Sequence, residues 1–391
     1  MNYADKANKL QATLVSWRRS LHQIAEVGLT LPKTVKFITE KLDEMQISYC
    51  VYDDISCVAA TIGHGNPCFL LRADMDGLRV VEETNLPFKS TNGCMHGCGH
   101  DMHATMLLGA AKLLKENEDK LKGSVKLLFQ SGEEIFKGAK AAVSAGILEN
   151  PRVDAAFAAH VVANIPTGTM ITGKEAMSSV YGFKITLSGK GGHGSMPEQT
   201  IDPINAGVQV YLALQSLIAR EVAGTQEAVL TVGQFSAGDV ANVIPERAVL
   251  QGTLRTFDVD LRRRLTVRIH EIVNAVAAAY RCGCEIEVIS DCPSVVTDGY
   301  VTAHTAKQIN KILPDVNVIN GAMHGMGSED FAFITEKVPS SYFMIGAGVP
   351  DKSLWVGQHN PKVVFNEDVL SQGAAIYAQT AESWLENHTN M

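Results

Sequence analysis

Apolar positions along the chain fall into two repeating patterns. Over residues 6–22 and 32–45 they recur at helical spacing, with Val35, Ile38 and Leu42 marking the second face. Short runs at residues 49–52, 58–62 and 68–71 read as strands. The third is uniformly apolar and continues into Arg72-Ala73-Asp74-Met75-Asp76-Gly77, which predicts two acids at a strand's carboxyl end. A helix is predicted over residues 104–114, opened by Asp101. It is followed by a largely apolar strand over 124–130 that leads into Ser131-Gly132-Glu133-Glu134. After a helical stretch at 138–145, the run 153–159 predicts a strand that ends on His160. Strands alternating with helices imply an α/β fold with a mostly parallel sheet covered on both faces. Ligands of such sheets bind beyond the carboxyl ends of the strands.

The pattern changes near Tyr181. Residues 183–189 alternate as a strand, 203–220 form a helical face, 227–235 and 243–257 are strands, 260–280 is a helix and 285–290 a strand. That order, β-α-β-β-α-β, predicts an inserted ferredoxin-like domain. Beyond it come a helix at 302–313, a short helix at 331–335, a buried strand at 341–345 and a final helix at 367–386. The expected division is a catalytic domain over 1–180 and 292–391, interrupted by a lid or dimerisation domain over 181–291.

A length of 391 residues with 46% hydrophobic positions supplies two cores. The net charge of −8 argues against nucleic acid or an anionic membrane as the partner. Residues 1–24 are amphipathic and lack an apolar signal region. No run has the length of a membrane span, so the expected location is the cytoplasm. The eight cysteines lack the spacing of a disulfide scaffold. Cys50, Cys57, Cys68, Cys282, Cys284 and Cys292 are expected to be buried small apolar residues.

One run departs from this bland background: Cys94-Met95-His96-Gly97-Cys98-Gly99-His100-Asp101-Met102-His103. Gly99 lets the backbone bend so that a thiolate and an imidazole can converge on one cation. Both are expected in the loop before the helix, where the N-terminal dipole favours a deprotonated thiol. Glu133 and Glu134 are adjacent and expected to point in different directions, one toward metal and one toward the reacting water. A Glu-Glu pair is usually a solvated turn, but this one follows an apolar strand. His160 shares that sheet edge, and His359 lies in the turn-rich Gly357-Gln358-His359-Asn360-Pro361. Cys98, His100, Glu134, His160 and His359 are too many ligands for one tetrahedral zinc. They suit two divalent cations sharing a bridging water or thiolate. Thiolate and imidazoles fit zinc, cobalt or nickel, and the carboxylate also admits manganese. A redox pair of Cys94 and Cys98 is the weaker reading, because they are not in a Cys-x-x-Cys arrangement.

Seven segments in order, Arg72-Ala73-Asp74-Met75-Asp76, His96 to His103, Glu133-Glu134, Gly192-His193-Gly194-Ser195-Met196-Pro197, Asn242-Val243-Ile244-Pro245-Glu246, Gly252-Thr253-Leu254-Arg255-Thr256 and Ser328-Glu329-Asp330-Phe331, carry a resemblance nearly end to end. The chain resembles the aminoacylase, hippurate hydrolase and plant auxin-conjugate hydrolase branch of the dinuclear metallopeptidases. The resemblance implies hydrolysis of an N-acyl or N-aroyl amino acid, a homodimer formed through the lid domain, and two metals on Cys98, His100, Glu134, His160 and His359. It also implies Glu133 as general base and His193 as the group that stabilises the oxyanion, in its own subunit or across the dimer. Asn242 and Arg255 would hold substrate, and Asp76 would orient a ligand. Asp74 stands where other branches place a metal-binding histidine and is given no ligand role. Departures from the family pattern are Ala25 before Glu26, Arg79 after the Asp76 segment, and Ser131-Gly132 before the Glu pair. They alter loops and bear on specificity. The competing readings are a dipeptidase or carboxypeptidase, the dipeptidase differing in its need to recognise a free substrate amine, and a non-catalytic metal-binding protein. The intact Glu133 argues against the latter.

Overall fold

The computed structural model describes residues 2–388, which form two compact units. One comprises residues up to 176, 295–324 and those from 330 onward; the other comprises 177–294 and 325–329.

The first unit is built on a sheet whose neighbours are, in order, Tyr49–Tyr52, Cys57–Gly63, Ser124–Gln130, Cys68–Asp74, Ala155–Pro166, Ser340–Gly348, Thr169–Thr172 and Asn317–Asn320. The four in the middle run parallel. Every residue of Cys68–Asp74 and Ser124–Gln130 is buried, the charged Arg72, Asp74 and Lys126 included, as central strands of a covered sheet require. Helices His100–Lys115 and Val369–Asn387 are buried around almost their whole circumference and pack on each other and on Tyr3–Gln23. Helix Pro32–Glu44 begins with proline at its first position, and the Glu26 carboxylate accepts the backbone N–H groups of Lys33 and Thr34.

The second unit has its own core around Phe183, Ile185, Leu250 and Leu254. Its strands lie in the order Ala228–Ala237, Arg247–Thr256, Val180–Ser188 and Gly283–Cys292, all antiparallel. Helix Val259–Ala279 buries Leu261, Leu265, Ile269, Val273 and Ala277 at a four-residue interval, and helix Pro203–Glu221 buries Ala206, Val210, Leu214 and Leu217. This is the ferredoxin-like β-α-β-β-α-β arrangement.

Several local expectations fail. The predicted strand 243–257 is broken at Pro245, which has no N–H for a ladder. Val243–Ile244 instead pairs with Gly192–His193. His160 does not end its strand, because Ala155–Pro166 continues past it along Ser340–Gly348. Asp74 is the last strand residue, in keeping with the acids expected at this strand's carboxyl end. Cys50 is exposed and Cys284 half-buried, as alternate faces of partly covered strands dictate, whereas Cys57, Cys68, Cys282 and Cys292 are buried.

Candidate metal centre

The site lies in the first unit, and backbone carbonyls orient its imidazoles. Gly99, at φ +89°, caps the helix that His100 opens, so His100 is its first helical residue and not part of the preceding loop. His100 Nδ1 donates to the Asp76 carbonyl at 2.9 Å, leaving Nε2 for other work. The Asp76 carboxylate accepts the N–H of Glu133 at 3.0 Å and of Glu134 at 3.2 Å. These two hydrogen bonds shape the turn so that both acids reach one imidazole. Glu133 Oε2 and Glu134 Oε1 each lie 3.9 Å from His100 Nε2. The pair shares this imidazole but differs in its other neighbours, Glu134 lying close to Cys98 and His359 and Glu133 to Asp330.

His160 Nδ1 donates to the Val161 carbonyl at 2.7 Å, and its Nε2 is 3.3 Å from Cys98 Sγ. His359 has φ +67°, donates its N–H to the Gly97 carbonyl at 3.0 Å, and places Nε2 3.4 Å from Glu134 Oε2. Among the described residues, three of the close donor groups are built from these side chains alone: Cys98, His100 and His160; Cys98, Glu134 and His359; and His100, Glu133 and Glu134. Within each, the ligand atoms lie within 4.8 Å of one another.

Two observations fit a divalent cation here. His100 Nε2 and Glu134 Oε1 are buried without a hydrogen-bond partner, a costly state that a cation relieves. Burial, reinforced by Asp76 and Asp74 and opposed by His100, pushes the Glu134 carboxyl up to about 7. Burial also pushes the Cys98 thiol far up, opposed by the nearby His100, with Glu134 and Glu133 adding to the rise. The helix N-terminus thus does not deliver the thiolate expected from sequence; a cation's charge is what favours it. Burial and the neighbouring His103 hold His160 well below the usual imidazole range, in its neutral, ligating form. Burial and His100 lower His359 likewise.

Sequence reasoning missed a buried network beneath these ligands. Arg72 Nη1 donates to Asp74 Oδ2 at 2.7 Å and Nη2 to Asp330 Oδ1 at 2.8 Å. Asp330 also accepts from Gln130 Nε2 and the Ala139 N–H. His103 Nδ1 donates to Asp74 Oδ1 at 2.5 Å. The usable signal was the placement of Arg72 inside an otherwise apolar strand, where a charge needs a partner.

In the second unit, His193 is exposed. Its Nδ1 accepts from Ser195 N at 3.1 Å and lies 2.8 Å from Ser195 Oγ, so Nε2 carries the proton. The Asn242 carbonyl accepts the Gly194 N–H at 2.8 Å. Arg255 Nη1 donates to the Met326 carbonyl at 2.8 Å and to Ser328 Oγ at 3.1 Å.

Residues 70–383 match the sequence pattern of peptidase family M20/M25/M40. The chain belongs to this family. It is 36% identical to IAA-amino acid hydrolase ILR1-like 4 of Arabidopsis thaliana over 97% of this chain and 87% of the plant protein. It is 34% identical to N-acetylcysteine deacetylase of Bacillus subtilis, over 98% of this chain and 99% of that one. The solved structure of the Bacillus subtilis YXEP protein, described as a dinuclear metal binding peptidase of the M20 family, superposes with a TM-score of 0.81 at 31% identity. That match covers 97% of this chain and 99% of the other. As a member of the M20/M25/M40 family the chain is a hydrolase of amide bonds, and its donor cluster suits divalent cations. Among the described residues, no helix is long and apolar enough to cross a membrane.

Proposed function

We propose that the protein hydrolyses the amide bond of N-acyl or N-aroyl amino acids, releasing a carboxylate and a free amino acid. Two divalent cations, zinc, manganese, nickel or cobalt, would be held by Cys98, His100, Glu134, His160 and His359. The carrying observation is that two donor groups share Cys98 and leave Glu133 beside them. When bound, the cations would acidify the attacking water and polarise the amide carbonyl. Glu133 takes the proton of that water and later delivers it to the leaving amine. Asp76 acts through the backbone, holding the Glu pair and His100 in place. His193 donates Nε2–H to the oxyanion of the tetrahedral intermediate. Asn242 and the remaining guanidinium donors of Arg255 hold the substrate carboxylate.

The second unit serves as lid and as the surface of a homodimer. Its edge strand Ala228–Ala237 exposes Val229 and Phe235, and helix Pro203–Glu221 exposes Ile204, Val208, Tyr211 and Leu212. Such an edge is costly to leave uncovered. The cytoplasm is the proposed location.

The test is metal content per chain by elemental analysis, coupled to hydrolysis of N-acetyl amino acids, N-benzoyl amino acids and dipeptides before and after chelation. Two metals and chelator-sensitive hydrolysis of the acylated substrates are expected. Turnover that survives complete metal removal sinks the proposal, and turnover confined to dipeptides moves it to the dipeptidase reading.

A further inference from the structure

The donors of this site are not held alike. Cys98, His100 and His160 form an inner group, and Cys98, Glu134 and His359 an outer one. Both inner imidazoles donate Nδ1–H to backbone carbonyls, of Asp76 and Val161, which fixes tautomer and ring plane. His100 is fully buried, whereas the His359 side chain is 54% exposed and stands on a turn of positive φ.

Beneath the inner group lies an Asp-His couple that the proposed chemistry does not use. His103 follows His100 by three positions on the same helix, and its ring meets that of His160 edge-on at 4.5 Å between centroids. His103 also belongs to a group of close donors with Asp74 and His100. Its hydrogen bonds exclude it as a ligand. Nε2 accepts the Val161 N–H at 2.9 Å, so the proton sits on Nδ1 and is given to Asp74, and no lone pair remains for a cation. Val161 is thereby held on both sides, its N–H by His103 and its carbonyl by His160 Nδ1 and by Gln358 Nε2 at 2.9 Å. Asp74 is anchored through Arg72 to Asp330, and all three are buried. The backbone that aims His160 is thus pinned by a chain of charge-assisted bonds. The outer group meets that chain less directly, through the Gln358 bond and through Cys98, which both groups share; neither Glu134 nor His359 is itself held by it.

We propose that His103, with Asp74, is a positioning residue for the inner half of the site, and that the protein consequently binds its two cations with unequal affinity, the inner tightly and the outer exchangeably. This rests on the two-cation reading above. Ligands already held in their binding geometry lose less freedom on coordination, whereas a half-exposed imidazole must be ordered. Removing a partner that orients a metal ligand typically weakens the metal about 10–100-fold.

The experiment titrates metal-depleted full-length protein with Zn²⁺ in competition with a chromophoric chelator, with circular dichroism to confirm folding. The wild type is expected to show two resolved steps. His160→Ala should remove the tighter step and His359→Ala the weaker. His103→Ala should weaken the tighter step about 10–100-fold and leave the weaker unchanged. His103→Asn, which restores an N–H toward Asp74, should recover part of the loss. If His103→Ala does not fold, Asp74→Asn reads the same selective loss. Two indistinguishable steps in the wild type, or equal weakening of both steps in the variants, overturn the proposal. A wild-type protein that binds no Zn²⁺ removes the two-cation reading itself.

Discussion

Gly99 connects two proposed ligands, and alanine there tests whether their turn is as tightly built as described. An L-residue at φ +89° gives up about 1–2 kcal/mol for the left-handed conformation. A Cβ at this position would also stand 2.5 Å from Val161 Cγ2 and 3.2 Å from the Phe365 ring, so the surroundings must shift. Overpacking of that kind adds about 1–3 kcal/mol, which brings the expected loss to roughly 2–5 kcal/mol. Gly93 supplies the control: its φ is +82°, and a Cβ there meets nothing within 4 Å. Gly93→Ala should therefore show the conformational part alone. The assay is urea unfolding of both variants in metal-depleted protein, so that cation binding does not contribute, read as midpoint shifts at constant m. If Gly99→Ala and Gly93→Ala agree within about 0.5 kcal/mol, the crowding argument is refuted. A Gly99→Ala protein that folds should also bind Zn²⁺ more weakly, because the shift falls on the Cys98–His100 turn.

Glu133→Gln should retain the wild type's metal content while turnover falls about 10²–10⁴-fold, checked by steady-state kinetics beside elemental analysis; undiminished turnover would remove Glu133 as the base. A pH effect follows from His22, buried between Asp101 at 2.8 Å and Glu82 at 3.1 Å. Burial opposes its charge, but Asp101 and Glu82 outweigh that and raise its folded pKa. Its contribution to stability is then complete below the unfolded value of about 6.5 and is lost as pH rises through the folded one. Urea midpoints measured across this range should fall with rising pH in the wild type and fall less in His22→Gln; parallel profiles would show that His22 does not carry the effect.

Much of this architecture was legible in the sequence because two periodicities with different repeats are hard to confuse over long segments. Helices Pro203–Glu221 and Val259–Ala279 present clean apolar faces. The strands Thr169–Thr172 and Asn317–Asn320 escaped notice for the opposite reason. Each is four residues long with polar ends, and they exist by pairing parallel with one another across a long stretch of chain. The five candidate ligands were visible as residue types, and the structure brings them together. What holds them was not. Arg18 reads as the polar face of an amphipathic helix, yet it is buried with Nε 2.7 Å from Asp101 Oδ2. Asp74 and Asp330 meet through Arg72 although they are far apart in the chain. Burial of a charge is decided by a partner elsewhere in the fold, and local pattern carries no information about that partner.

The pairing of Ala155–Pro166 with Ser340–Gly348 also constrains how the protein is made. His160 lies before the second unit in the chain and His359 after it, so the outer donor group stays incomplete until the chain has been made through His359. The inner donors Cys98, His100 and His160 are made much earlier, but the strand that flanks His160 emerges only after the intervening unit, which has a core of its own and can fold in the meantime. Assembly of the outer donors is thereby placed after synthesis of the second unit: a chain that stops short of His359 offers the inner thiol and imidazoles alone.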